Sequence, residues 1–389
     1  MTDHPLQSIA IAGMATTEQA KSIEMGTGEI CLHAALAALA DAGMTVADVD
    51  GIVARWPGPG GTVFEPGAWD WTNVFGQGAR WIGDTYPQGI PGLLDAAGAI
   101  LAGQCEVAVV FGGQAGIRSG RAVAGYTRPD NEFVSIWGSL TQAQFGLVAQ
   151  VYLDRFDPDR TAMADIAATI RNHGSANPDA VMTGRGPFSA ADVLASPLIA
   201  EPFHLLDLCL ASEGAAAIVV TSLERARDCP NPPAVVLGGG ADWYRQQYVN
   251  PPRYDEINTV GADAYGRTFA MAGMTAADVD VFELYDINTY EVVRQFEMLG
   301  LCGEGEGVDY VAEAGIGLDG RHPTNTDGGL MSYSHIGWGG PTLKLVEAVR
   351  QIRGIAGPGQ VPGAETVFAS GAGSGAQYHN AVLLGADRR

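Results

Sequence analysis

The chain has 389 residues, 47% hydrophobic and 17% charged, which is enough apolar material for two core-bearing halves and excludes a low-complexity disordered chain. Its net charge is −22, from 44 acidic and 22 basic residues, and this argues against nucleic acid and anionic membrane as partners, because both need clustered Lys and Arg. Lys21 and Lys344 are the only lysines, so an anionic ligand needs a local positive patch within a negative field.

The segment LQSIAIAG predicts a short strand ending in Gly13. In EICLHAALAALADAG the apolar Ile30, Ala34, Ala37 and Ala38 recur at helical spacing, and Gly43 is a stop signal. VDGIVA reads as a second strand, and residues 55–85, rich in Gly, Pro and Trp, read as a loop carrying site residues. A helix over 90–102 and the strand VAVVFGG complete a β-α-β-loop-α-β pattern. Residues 114–205 hold amphipathic helices between Pro- and Gly-rich turns and read as an inserted loop domain. SEGAAAIVVTS is a turn and a central strand, and LERARDCP closes a first half, residues 1–230.

At Pro232 the layout starts again, giving a second half over 231–389. AALAALADAGMTVADVDGIV in the first half resembles YGRTFAMAGMTAADVDVFEL in the second; both read as helix, AGMT, x-A-D-V-D, strand, an internal repeat that implies two similar halves packed together. A helix (NTYEVVRQFEMLG), a Gly-rich loop over 303–340, a helix (PTLKLVEAVRQIRG) and a final hairpin follow. Alternating β and α with apolar strands gives an α/β layered fold with buried sheets.

Cys31, Cys105, Cys209, Cys229 and Cys302 form no CxxC pair, which fits a reducing cytoplasm. The seven histidines are spread from His4 to His379, so no metal cluster is expected. No signal peptide and no apolar run long enough for a membrane span are visible, and a cytoplasmic location is expected. Lys344 sits on a helix whose Leu343–Val346 spacing points it away from the core, which leaves no buried lysine for a Schiff base. GGG at 238–240 lacks the Gly-x-x-x-x-Gly-Lys of a phosphate cradle. Trp56, Trp69, Trp71, Trp81 and Trp137 crowd the first half, either as core or dimer packing or as walls of an apolar channel.

Three segments carry a family resemblance. FELYDINTYEVVRQFEMLGLCGEGEG resembles the part of sterol-carrier-protein-X-type thiolases that runs from E-x-H-D-C-F to E-x-L-G-L-C-x-E-G-x-G. NTDGGLMSYSHIGWGGPTLKLVEAVRQIRG resembles their Asn…Gly-Gly…Gly-His-Pro segment, and LCLASEGAAAIVV their Cys-x-x-x-Asp-Gly-Ala-Ala-Ala strand. The resemblance implies the thiolase fold: two similar α-β-α-β-α halves in a five-layer sandwich, sheets packed around paired central helices, with an inserted loop domain, and a dimer. The departures concern the thiolase chemistry. The nucleophilic Cys position falls at Tyr86, the second catalytic Cys at Ala369 and the His of His-Asp-Cys-Phe at Tyr285; the His of Gly-His-Pro is kept as His335, with Tyr333 beside it.

Acyl transfer needs a low-pKa thiolate. Without it, an oxyanion site for a thioester carbonyl still stabilises an enolate, as in retro-aldol cleavage of a β-hydroxyacyl-CoA. That reaction needs a base for the hydroxyl proton and an acid for the enolate carbon, and tyrosines near an enolate's proton affinity suit such transfers. Within the superfamily, the loss of cysteine together with tyrosines in its place resembles the steroid side-chain-cleaving aldolases. The resemblance implies cleavage of a 17-hydroxy steroid acyl-CoA to a 17-ketosteroid and a short acyl-CoA such as propionyl-CoA. It also implies a zinc-ribbon/OB-fold partner around a homodimer core of a heterotetramer. No cofactor is implied in this chain; CoA belongs to the substrate and zinc to the partner. Tyr285, Tyr333 and His335 are the expected catalytic residues, with His335 binding the thioester oxygen. Tyr86, Asp286, Asn325, Gly339 and Gly340 are expected to contact substrate; Asp286 alternatively orients Tyr285 or caps the next helix. A non-catalytic lipid or acyl-CoA carrier on the same scaffold is the competing reading.

Overall fold

A computed structural model describes residues 4–57, 67–85, 89–116, 141–244, 252–373 and 376–388. Tyr86 and Trp137 lie outside the described residues. The strands are β1 (Ile9–Thr16), β2 (Gly51–Val53), β3 (Trp81–Gly83), β4 (Val107–Gln114), β5 (Leu198–Ala200), β6 (Phe203–His204), β7 (Gly214–Ser222), β8 (Ala234–Trp243), β9 (Val281–Glu283), β10 (Thr366–Gly373) and β11 (Tyr378–Ala386). The longer helices are α1 (Thr27–Asp41), α2 (Ile90–Leu101), α3 (Thr141–Phe156), α4 (Arg160–Ala176), α5 (Ala262–Ala272), α6 (Thr289–Met298), α7 (Gly307–Ala314) and α8 (Gly340–Arg353).

The internal repeat is a repeat of topology. Outward from β1 the neighbours are β7, β4 and β2, joined antiparallel, antiparallel and parallel. Outward from β8 they are β11, β10 and β9, joined in the same senses. The two half-sheets are joined: β1 and β8 pair at Ala10↔Val235 and Ile11↔Ala234, and one nine-stranded sheet runs through both halves. The reason is local: each half begins with an apolar strand whose outer edge is free, and the two free edges meet. Successive residues point to opposite faces. Val110, Ile218, Val236 and Val367 share one cluster with Leu93 of α2 and Val346 of α8, so the paired helices are enclosed by both halves of the sheet. Phe111 faces outward with α1, and Phe282 and Phe368 face outward with α5 and α6, which completes five layers.

The shared phrase works the same way twice. Gly43 (φ 67°) and Gly273 (φ 66°) end their helices in the left-handed region, where Gly carries no steric penalty. Thr45–Asp48 and Thr275–Asp278 form capping boxes. The last aspartate of x-A-D-V-D then pins the start of a later strand, β4 or β10: Asp50 accepts from the amides of Glu106 and Val107, Asp280 from those of Glu365 and Thr366. Glycines let helices approach the first strands, since a Cβ at Gly13 or Gly238 would lie 2.3 Å from the carbonyl oxygens of Ala38 and Thr268. The GGG at 238–240 therefore serves helix–sheet contact.

Lys344 corrects the sequence reading. It was expected to point outward, yet it is 1% exposed, because α8 is buried on nearly every side from Gly340 to Val349. Face arguments from apolar spacing assume a helix with a wet side, and this helix has none. In the loop region, α3 and α4 pack Phe145, Tyr152 and Ile166 into the outer cluster of the second half. Trp71 is buried and meets Trp56 and Phe111 edge-on, so these tryptophans pack the first-half core.

Candidate active site

The N-termini of α2 and α8 meet: a Cβ at Gly89 would lie 2.6 Å from the Pro341 carbonyl carbon. The segment 325–340 leads into α8 and carries most of the expected site residues. Asn325 takes the left-handed conformation (φ 48°), which Asn tolerates better than most residues. Its carbonyl meets Nδ1 of His173 at 3.1 Å. Its carboxamide is fully buried with neither end hydrogen-bonded, an arrangement that calls for a ligand or water. Asp286, expected to touch substrate, instead anchors this loop, accepting from the amides of Leu330 (2.9 Å) and Met331 (3.1 Å). Gly329 is required there (φ 57°), because a Cβ would lie 2.2 Å from the Asp286 carboxylate. Gly339 packs on the Gly112 carbonyl, 2.5 Å from its Cβ position, and Gly340 leaves room beside His335, whose Cδ2 is 3.3 Å away.

His335 is oriented by its partners. Ser212 accepts from the His335 amide (2.7 Å), and Nδ1 lies 3.1 Å from the Leu210 carbonyl oxygen. A carbonyl only accepts, so Nδ1 carries the hydrogen; burial pushes the ring's pKa down and keeps it neutral. In that tautomer Nε2 holds a lone pair. It accepts a proton and does not donate to a thioester oxygen, the role the sequence suggested.

Behind the loop lies a buried charge cluster that sequence reasoning missed. Lys344 Nζ is 3.1 Å from Asp286 and 3.3 Å from Glu283. Burial opposes the ammonium, but Asp286 and Glu283 outweigh it and push its pKa up, which rules out a neutral lysine nucleophile. Burial pushes Glu283 well up, against the pull of Lys344, and raises Asp327 as well. Glu347, 3.6 Å from Arg350, is pushed up to about 8 by burial and then by Asp327. A signal was available: one of only two lysines in a chain with 44 acidic residues is worth following.

Glu347 sets a pH dependence. Its folded value lies above the ordinary 4.5, so the native state keeps a proton that the unfolded chain releases. Stability from this group is complete below about pH 4.5 and is lost as pH rises through about 8. Glu347→Gln is expected to flatten the fall in Tm between about pH 5 and pH 8, relative to wild type. Thermal unfolding at several pH values checks this; parallel profiles would show that Glu347 does not titrate in that range.

The two tyrosines occupy different settings. Tyr285 lies between β9 and α6, is 6% exposed and packs in the outer cluster. Its amide donates to Ser370 Oγ (2.9 Å), and its carbonyl accepts from Gln295 Nε2 (2.9 Å). Tyr333 belongs to the inner cluster and points its hydroxyl at Thr16 Oγ1 (3.5 Å), which also accepts from Arg350 (3.0 Å). Burial pushes the phenol up and Arg350 pulls it down; the net shift is upward, so it stays a proton donor. Tyr333 and Arg350 line a cavity of about 630 Å³ that also carries Lys21, Asp179 and Arg185. Ser370, Gln295 and Arg350 were not legible as site residues.

No thiol is activated. Burial pushes Cys31, Cys209 and Cys302 up to about 12 and Cys105 up to about 11, and it raises Cys229. At Cys209 the Asp286 charge adds to the effect of burial.

Residues 252–386 match the thiolase C-terminal domain-like family. Over its whole length the chain is similar to a steroid side-chain-cleaving aldolase of Thermomonospora curvata, 32% identical over 97% of this chain and 98% of the relative. It is equally similar to the 17-hydroxy-3-oxo-4-pregnene-20-carboxyl-CoA lyase of Mycobacterium tuberculosis, 32% identical over 96% and 98%. Among solved structures it resembles an Ltp2-ChsH2(DUF35) aldolase (TM-score 0.83, 29% identity, 98% of this chain and 99% of that one). Human mitochondrial 3-ketoacyl-CoA thiolase shares the fold (TM-score 0.72, 14% identity, 98% and 99% covered). With the thiolase architecture kept and no thiol poised as a thiolate, the chain belongs to the steroid side-chain-cleaving aldolase family of the thiolase fold.

Proposed function

We propose that the protein is a retro-aldolase that cleaves the side chain of a 17-hydroxy steroid acyl-CoA, releasing a 17-ketosteroid and a short acyl-CoA such as propionyl-CoA. The observation that carries this reading is the state of the thiols: all five are pushed up, so acyl transfer has no nucleophile, while hydroxyl and imidazole groups remain. In the reaction the β-hydroxyl loses its proton, the Cα–Cβ bond breaks to give a ketone and a thioester enolate, and the enolate carbon takes up a proton. His335 Nε2 suits the first transfer, because its neutral tautomer accepts. The Tyr285 phenol suits the last, and Tyr333 supplies a second donor on the cavity wall. The orphaned Asn325 amide suits the thioester oxygen, where a preorganised donor stabilises the enolate. Tyr86 keeps its expected place at the substrate, by resemblance alone.

The structural relative's name pairs its aldolase with a DUF35 protein. A DUF35 partner with a zinc ribbon and an OB-fold is accordingly the proposed companion, on a homodimer core, with zinc confined to the partner. No helix of the described residues is long and apolar enough to cross a membrane; a cytoplasmic location is the proposed setting. The test is an assay of the chain, with and without a DUF35 protein, on a 17-hydroxy steroid CoA thioester. Ketosteroid and propionyl-CoA are the expected products; tight binding without turnover in both arms would establish the carrier reading. Incubation with acetyl-CoA is expected to leave the intact mass unchanged, and an acetyl adduct at Cys209 would restore covalent acyl transfer.

A further inference from the structure

We infer that Ser370 and Gln295 form a clamp on the Tyr285 peptide and are positioning residues for its phenol; this deepens the reading above and rests on it. Ser370 Oγ accepts from the Tyr285 amide (2.9 Å) and donates to Gln295 Oε1 (2.5 Å). Gln295 Nε2 donates to the Tyr285 carbonyl (2.9 Å) and, with its other hydrogen, to the Glu291 carbonyl one turn back (2.8 Å). Its Oε1 also faces the Tyr265 hydroxyl at 3.1 Å. Both N–H bonds and the oxygen of the carboxamide are engaged, so it cannot flip. The peptide groups on either side of Tyr285 are held by one hydrogen-bonded pair from α6 and β10.

The clamp is braced from behind by groups that are all buried. Tyr265 meets His379 Nδ1 at 3.1 Å, His379 Nε2 lies 2.7 Å from Glu291, and Glu291 takes both Nε and Nη2 of Arg294. Arg294 in turn donates to the carbonyls of Ile257 and Asn258. Such a network adds little net stability for the charge it desolvates, but it specifies one geometry.

The internal symmetry separates positioning from plain helix–sheet stitching. Asp50 and Asp280 pin β4 and β10 in the same way, and the register Gly51↔Ala108 matches Val281↔Val367. Counting on, the position of Ser370 in the second half is that of Phe111 in the first. Phe111 packs edge-on against Trp71 within an apolar cluster. The same fold position thus carries an aromatic ring in one half and a hydroxyl in the other, and the Ser–Gln clamp occurs in the half that carries Tyr285.

The test is turnover of the 17-hydroxy steroid CoA thioester by the full chain with its DUF35 partner, for Ser370→Ala and Gln295→Leu, in wild-type and Tyr285→Phe backgrounds. In the wild-type background kcat is expected to fall about ten- to a hundredfold with KM little changed, as for a misplaced catalytic group. In the Tyr285→Phe background the same changes are expected to leave residual turnover unaltered. Ser370→Ala removes a single oxygen and carries the test if Gln295→Leu does not fold. Equal fractional losses in both backgrounds, or wild-type kcat in Ser370→Ala, would overturn the clamp while leaving the aldolase reading intact. Wild-type turnover by Tyr285→Phe itself would remove the role of Tyr285 and the clamp together.

Discussion

Tyr285→Phe is expected to lower kcat on a 17-hydroxy steroid CoA thioester by about 10²- to 10⁴-fold, the range for loss of a positioned proton-transfer group. That corresponds to about 3 to 5.5 kcal/mol of transition-state stabilisation. The fold should tolerate the change. The Tyr285 peptide is held by Ser370 and Gln295 whatever the side chain, and a Phe ring keeps the packing of the outer cluster. KM is therefore expected to move little, which separates lost chemistry from lost binding. Steady-state kinetics on the variant, with thermal unfolding as a control, decide the point. A variant with wild-type kcat would place the enolate's proton elsewhere, with Tyr333 the next phenol to replace.

What could be read from the chain and what could not divide along a physical line. The repeat was legible because its parts are local: a left-handed Gly, then Thr-x-x-Asp, then an aspartate beside the strand. The family was legible because it is a matter of residue identity in three ordered segments. The orientation of each group was not. The tautomer of His335 depends on the carbonyl of Leu210, 125 residues away. The Ser370–Gln295 bond spans 75 residues, and the Lys344–Glu283 pair spans 61. Helical spacing misplaced Lys344, because the rule that apolar residues mark the inner face fails for a helix enclosed by both halves of a sheet. The joining of the two half-sheets was likewise hidden, since it rests on two residue pairs between strands that are each unremarkable in sequence.

Lys344→Met is expected to destabilise the protein by about 3–5 kcal/mol, because it leaves buried carboxylates without their cation. The replacement keeps the length and most of the volume of the side chain, so the loss isolates charge. Asp286 and Glu283, 3.1 and 3.3 Å from Nζ, are both 0% exposed and have no water to turn to. Burial already pushes Glu283 well up against the pull of Lys344, and without the ammonium that pull is gone, so Glu283 holds its proton more tightly still in the native state than in the unfolded chain. Above the ordinary carboxylate range the native state then binds more protons than the unfolded chain, and the deficit widens from about pH 5 to pH 8. Denaturant unfolding across that interval should show the widening, and a variant as stable as wild type at pH 8 would show that the ammonium adds no stability there. The same change should reach the site. Asp286 holds the amides of Leu330 and Met331, and these set the path of the loop to Tyr333 and His335. Removing the ammonium strips Asp286 of its partner at 3.1 Å and loosens this anchor, so turnover should fall more steeply than the folded fraction. The buried lysine that spacing alone set aside as an outward-facing residue is thus the cation on which both the core charge and the loop geometry depend.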